Sequence, residues 1–100
     1  MEVLFRTQRL RECAASVKSA RREYGPVVGE RYVARVQLLY AAESDRDLYA
    51  RPYLEFHPLK GARQGQYALT LIDRMRLIVT FHDDAMTIVR VEEVSKHYGD

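Results

Sequence analysis

One hundred residues, 47% hydrophobic and 30% charged, suffice for one domain with its own core and are too few for two. A lone cysteine, Cys13, excludes an internal disulfide, and no spaced Cys/His set offers a structural zinc site, so a reducing, cytoplasmic setting is expected. Net charge is only +2, yet the sixteen cations are thirteen Arg and three Lys, and arginine is the better bidentate partner of phosphate. A polyanion is therefore the leading partner class.

The amino-terminal MEVLFRTQRL carries an early acid and no long apolar run, so neither a signal peptide nor a membrane span is expected. EVLF at 2–5 has strand propensity. Thr7 suits a helix N-cap, and Leu10, Cys13, Ala14, Val17 and Tyr24 recur at helical spacing, predicting one helix up to the Gly25-Pro26 step. Gly25 serves as its C-terminal cap and Pro26 as a first-turn residue of the next helix. There Val28, Tyr32, Val36, Leu39 and Tyr40 form the apolar stripe, with Glu30, Arg31, Arg35 and Glu43 facing water. So short a turn predicts an antiparallel helical hairpin, ended by ESDRD. Residues 44–66 read mostly as loop, with YLEF extended.

Beyond residue 66 the period changes to two. QYALTLI puts Tyr67, Leu69 and Leu71 on one face; RMRLIVTF puts Met75, Leu77, Val79 and Phe81 on one face and Arg74, Arg76, Ile78 and Thr80 on the other. HDDA is a turn, MTIVRV a third strand, and EEVSKHYGD a tail leaving it. Short connections predict an antiparallel meander. The order β-α-α-β-β-β makes residues 1–100 a single α+β domain, an N-terminal helical hairpin packed on a small antiparallel sheet.

Two ionisable groups flank that sheet. His57, Lys60 and Arg63 precede its second strand, in a loop with Gly61 and Gly65; Lys96, His97 and Tyr98 follow its last. Arg74 and Arg76 lie between, and the ends bearing these groups are expected to converge. No pair of acids is spaced for two-metal catalysis, Asp83-Asp84 suit a turn, and no Ser or Cys has a nucleophile-elbow context. Neither a metal nor a cofactor is called for. RNA cleavage, however, needs no protein nucleophile. The 2′-hydroxyl attacks the adjacent phosphorus if a base removes its proton, cations stabilise the phosphorane, and an acid protonates the leaving 5′-oxygen. His, Lys, Tyr and Arg supply those roles. Each residue also has a plainer reading: His57 as a loop cap, Lys60 and Arg63 as solvated charges, Arg76 in a cross-strand ion pair, His97 and Tyr98 packed over the sheet, His82 as turn chemistry.

FHPLKGARQGQYALTL, then RMRLIVTF and VEEVSKHYG, resembles the HigB branch of the RelE-like toxins, the plasmid maintenance system killer proteins, over nearly the whole chain. The resemblance implies the RelE-like fold and the role of toxin in a type II toxin–antitoxin pair. It implies a ribosome-dependent mRNA endonuclease that enters the A site of the 70S ribosome and cuts without metal. It also implies a cognate antitoxin, typically a helix-turn-helix protein that represses the shared operon, so that operator DNA is reached only through that partner. By resemblance His57 and Lys60 act on the scissile phosphate, Arg76 stabilises its charge and His97 is the C-terminal histidine. Arg63 and Arg74 would contact ribosomal RNA or substrate. Ser95 and Lys96 stand where some members have an acid and a tyrosine, and Tyr98 falls one place after His97; Lys96 or Tyr98 is then a substitute contact, and lysine serves as base only with a lowered pKa. Two rivals follow: a gyrase-inhibiting toxin resembling the ParE branch, which lacks the catalytic set, and a plain RNA-binding module.

Overall fold

The computed structural model describes residues 1–96. Thr7 opens the first helix through its hydroxyl, which accepts the Leu10 N–H at 3.1 Å, and α1 runs Gln8–Ala15. The single helix expected through Tyr24 is in fact two. At Ser16 the backbone is extended (φ −145°, ψ 112°) and the hydroxyl accepts the Ser19 N–H, so α2 starts afresh at Val17 and ends at Tyr24. A serine can satisfy the backbone locally and so compete with helix continuation. Val17 thereby leaves the apolar stripe and is 45% exposed. Gly25, at φ 89°, reverses the chain, and Pro26 opens α3, Pro26–Ala41.

Strand β1 is Glu2–Phe5, and after α3 come α4 (Asp45–Tyr49), β2 (His57–Pro58), β3 (Tyr67–Ile72), β4 (Met75–Phe81) and β5 (Ile88–Lys96). The sheet order is β1-β5-β4-β3-β2. Leu69, Leu71, Leu77, Val79, Val89 and Val91 meet Leu10, Tyr32, Val36 and Leu39 of the helices in one buried core. The helical layer on one face of the sheet is the α+β architecture expected from the two periodicities. No helix among the described residues is long and apolar enough to cross a membrane.

Four details differ from expectation. β1 pairs parallel to β5, the remaining pairs being antiparallel. EEVSK does not leave the last strand but extends it to Lys96. A bulge hides this continuation: Ile78 faces Glu93 while Val79 faces Val91, so the extra residue breaks the alternation. ESDRD does not merely end α3, because Ser44 caps the short α4. YLEF is not extended; Pro52–Leu54 form a 3₁₀ turn.

Arg35 and Arg31, expected to face water, bend onto the sheet. Arg35 Nε donates to Thr70 O at 2.9 Å and Arg31 Nη1 to Leu71 O at 3.2 Å. Two-residue β2 covers only Tyr67 and Ala68, leaving this half of β3 as an edge that the arginines occupy. Burial lowers the Arg35 pKa, and its guanidinium lies 5.3 Å from the Tyr53 ring centroid.

Tyr32 ties the helices together. It is fully buried, and its hydroxyl donates to Leu10 O at 2.7 Å. Burial raises its pKa and pushes that of neighbouring Tyr24 up to about 12. The folded state thus holds two phenolic protons that the unfolded chain releases from about pH 10. Their contribution to stability is complete below that pH and is lost as pH rises through the folded values. Tyr32→Phe is expected to cost about 1 kcal/mol at neutral pH through the lost hydrogen bond. It should also flatten the alkaline fall in the urea midpoint; an unchanged fall would remove Tyr32 from this role.

Candidate functional site on the open face of the sheet

The face away from the helices can be built from the strand register. His57 lies opposite Ala68, Ala68 opposite Ile78, and Ile78 opposite Glu93, one row across four strands. In the next row the Glu55 carboxylate accepts the Thr70 hydroxyl at 2.9 Å, Thr70 lies opposite Arg76, and Arg76 opposite Ser95. Directly paired residues project to the same side, so His57 and Arg76 share the open face. With strands about 4.8 Å apart and a rise of about 3.4 Å per residue, their Cα atoms are roughly 12 Å apart. A single nucleotide linkage can lie between their side chains.

Local backbone geometry sets the state of His57. Glu55 ends the 3₁₀ turn in the left-handed region (φ 48°, ψ 39°), its N–H bonded to Pro52 O. Its carbonyl oxygen then lies 2.6 Å from His57 Nδ1. A carbonyl only accepts, so Nδ1 carries a hydrogen, which in the neutral ring puts the lone pair on Nε2. In that tautomer Nε2 is the nitrogen that can take a proton.

The loop after β2 is pinned onto the same face. Leu59, 4% exposed, covers Ala68 and Ile78 and forms a second small core there. Lys60 is exposed at the head of a 3₁₀ turn, Gly61–Arg63. Arg63 donates to Gln66 Oε1 at 3.2 Å and lies 3.6 Å from Glu93 Oε2 on β5, which ties the loop to the strand two places beyond β3. Arg63 is thus partly committed to the protein, although a half-exposed pair of this kind contributes little to stability. A cavity of about 550 Å³ opens in the loop, lined by Pro58, Leu59, Lys60, Gly61, Gln64, Gly65 and Tyr67.

Arg74, expected on the strand beside Arg76, sits instead in the β3–β4 turn after Asp73, whose φ is 52°. Arg76 folds back on that turn and donates from Nη1 to Asp73 O at 2.6 Å and Met75 O at 3.2 Å. Lys96 lies opposite Met75, one step out of phase with Ser95 and Arg76, which places it on the side of the sheet that Met75 shares with the helices. His97 and Tyr98 lie outside the described residues. The structure therefore gathers His57, Lys60, Arg63 and Arg76 at one region and sets Arg74 and Lys96 at its margin.

Sequence reasoning missed a polar cluster farther along the face. Glu92 is only 8% exposed; its Oε2 accepts the Thr80 hydroxyl at 2.7 Å and lies 3.0 Å from Arg90 Nε, and its backbone carbonyl accepts Arg6 Nε at 2.8 Å. Thr80 has one hydrogen and gives it to the carboxylate, so His82 Nε2, 3.0 Å away, donates to Thr80. His82 is more than turn chemistry. The i, i+2 spacing of Thr80 with His82, and of Arg90 with Glu92, was the signal. Among the described residues no three His, Cys, Asp or Glu side chains gather as a metal-binding set.

No family model and no curated protein matches the sequence. Solved structures match the fold. The chain is similar to the YoeB/ParE toxin from Agrobacterium tumefaciens (TM-score 0.59, 13% identity, covering 98% of this chain and 100% of that one). It is similar to a chain of the YoeB-YefM complex from Staphylococcus aureus (TM-score 0.60, 14% identity, 98% of each chain). It is also similar to YafQ from E. coli strain BL21(DE3) (TM-score 0.64, 16% identity, 95% of this chain and 91% of that one). At these identities the likeness shows the fold.

Proposed function

We propose that this chain is the toxin of a type II toxin–antitoxin pair, of the HigB branch of the RelE-like toxins, and that it cuts mRNA in the ribosomal A site. The observation that carries this reading is His57, its lone pair assigned to Nε2, on the same open face as Arg76 and next to the Lys60 loop. The fold shared with a protein described as a toxin, and with one found in a two-protein complex, supports it.

Single-stranded RNA would lie across the open face. His57 Nε2 and His97 take the two proton transfers, one drawing the proton from the 2′-hydroxyl and the other protonating the leaving 5′-oxygen. Lys60 and Arg76 place positive charge beside the pentavalent phosphorus, where it develops most negative charge. Arg63, Arg74 and Tyr98 hold flanking RNA, whereas Lys96, expected with them, stands at a strand position that projects to the helix side and is set apart from the RNA path. The 2′-hydroxyl is the nucleophile, so DNA is no substrate. The partners on this reading are the 70S ribosome with its mRNA and a cytoplasmic cognate antitoxin through which operator DNA is reached.

The purified chain added to programmed ribosomes should leave a 2′,3′-cyclic phosphate at a cut within the A-site codon. Replacing both Lys60 and His97 by Ala should abolish the product; full activity in that double variant would overturn their assignment. The likeness to a protein described as YoeB/ParE keeps one second reading, a ParE-like gyrase inhibitor. DNA damage signalling on induction without mRNA cleavage is its signature.

A further inference from the structure

Two arginines at the edge of the sheet have no use in the chemistry just described. Arg31 and Arg35 stand one turn apart on α3 and reach the β3 carbonyls of Leu71 and Thr70. Arg35 is only 9% exposed, and an arginine so deeply buried ordinarily has a carboxylate beside it. Here neither arginine has one: among the described residues no acid forms an ion pair with Arg31 or Arg35. Each guanidinium gives one N–H to a carbonyl, and the other N–H groups of the two forks meet no acceptor in the described chain. Burial first, and the like charge of Arg31 as well, lower the Arg35 pKa against the opposing effect of Tyr53. Two neighbouring cations are thus left with unused donors and no anion between them.

The surface around them is aromatic. Tyr53, whose ring centroid lies 5.3 Å from Arg35 Cζ, is 57% exposed. Tyr49, half exposed, packs edge-on against Phe56 at 4.7 Å, and Phe56 stacks on Tyr67 at the start of β3. Tyr67 and Thr70 are about 10 Å apart along that strand, so tyrosines and arginines border the same edge. Tyrosine and arginine together are the side chains that dominate the centres of protein–protein contacts.

Two features decide how this edge is covered. Thr70 O and Leu71 O are already taken by the arginines, so a partner cannot add a strand there through its main chain and must dock by its side chains. The Glu55 carboxylate, bound to the Thr70 hydroxyl on the open face, stands between this edge and Arg76 and would repel an RNA backbone leaving the sheet that way.

We propose that Arg31, Arg35 and Tyr53 anchor an acidic segment of a protein partner: an aspartate or glutamate carboxylate enters between the two guanidinium forks, and the Tyr53 and Tyr49 rings cover the residues flanking it. This rests on the toxin reading above, in which that partner is the antitoxin. Forked guanidinium groups match the two oxygens of a carboxylate, and one such anion satisfies donors from both arginines. A partner held here grips the chain without touching His57, Lys60 or Arg76, so holding and cutting are separable.

The test measures the dissociation constant and dissociation rate of the antitoxin encoded beside this chain, for the native protein, Arg31→Gln, Arg35→Lys and Tyr53→Ser. Arg31 and Tyr53 are exposed, so those two variants should fold even if Arg35→Lys is destabilised; urea midpoints check all three. Lysine keeps the charge and loses the fork. Arg31→Gln and Arg35→Lys should each weaken binding by about tenfold or more, chiefly through faster dissociation. Tyr53→Ser should weaken it by a similar factor. Without the partner, Arg31→Gln and Tyr53→Ser should cut RNA on programmed ribosomes at the native rate, and partner concentrations that silence the native chain should fail to silence them. Native affinity in both of these variants would overturn the anchor and leave the toxin reading standing. An antitoxin that does not bind the native chain overturns that reading and the anchor with it. Slower cleavage with unchanged partner affinity would mark the edge as an RNA contact and refute the docking.

Discussion

His57→Gln is expected to lower the single-turnover rate of RNA cleavage by about 10²- to 10⁴-fold, the usual contribution of a positioned acid–base group. The fold should survive, since the Nδ1 bond to Glu55 O contributes on the order of 1 kcal/mol. Glu55 provides a companion experiment that leaves the imidazole in place. Glycine tolerates φ 48° and should preserve the carbonyl's position, whereas a β-branched valine is strained there and should displace it. Glu55→Gly is therefore expected to cut faster than Glu55→Val. A His57→Gln protein within threefold of the native rate would remove His57 from the chemistry, and the Glu55 pair would then lose its meaning too.

The largest effect on stability is expected at Gly29. Glycine within a helix ordinarily costs about 1 kcal/mol relative to alanine, so Gly→Ala normally stabilises. Here a Cβ would lie 2.5 Å from Ala20 O and 2.6 Å from Ala20 C and Arg21 N, backbone atoms of α2 that cannot rotate away. The sign reverses. Gly29→Ala should lower the urea midpoint, and Gly29→Val should cost about 3 kcal/mol or more by forcing α2 and α3 apart. Domains of this size have only about 5–15 kcal/mol in total, so the valine variant should be partly unfolded at 37 °C. Gly29→Ala as stable as the native chain would show that the helices approach less closely than described.

Where the sequence was legible, one regular period ran unbroken. β3 and β4 could be read from alternation because one face is core and the other is not; α3 could be read from its stripe and from Gly25-Pro26. Signals from far along the chain were not legible. Ser16 breaks a stripe that looks continuous in composition, because its hydroxyl competes for a backbone N–H only once the chain turns. The parallel partnership of β1 joins Glu2 to Ile88, and nothing local announces it. The β5 bulge disguised EEVSK as a tail. Arg35 reads as solvent-facing until the shortness of β2 leaves carbonyls on β3 for it to bond. For the site, His57 and Arg76 were found by residue type and motif, but only the register shows that they share a face. Glu92 read as the start of a tail and not as part of the last strand.

β5, read late in the chain, lies inside the sheet between β1 and β4. Until residues 88–96 leave the ribosome that makes them, β1 and β4 both lack a neighbour, and neither the Glu93 latch for Arg63 nor the Glu92 brace for Arg90 exists. Closing the β1–β5 ladder joins segments more than eighty residues apart, the kind of contact that makes folding slow. A nascent copy of this protein thus carries His57 and Arg76 on a face that is completed only when residues 88–96 have joined the sheet.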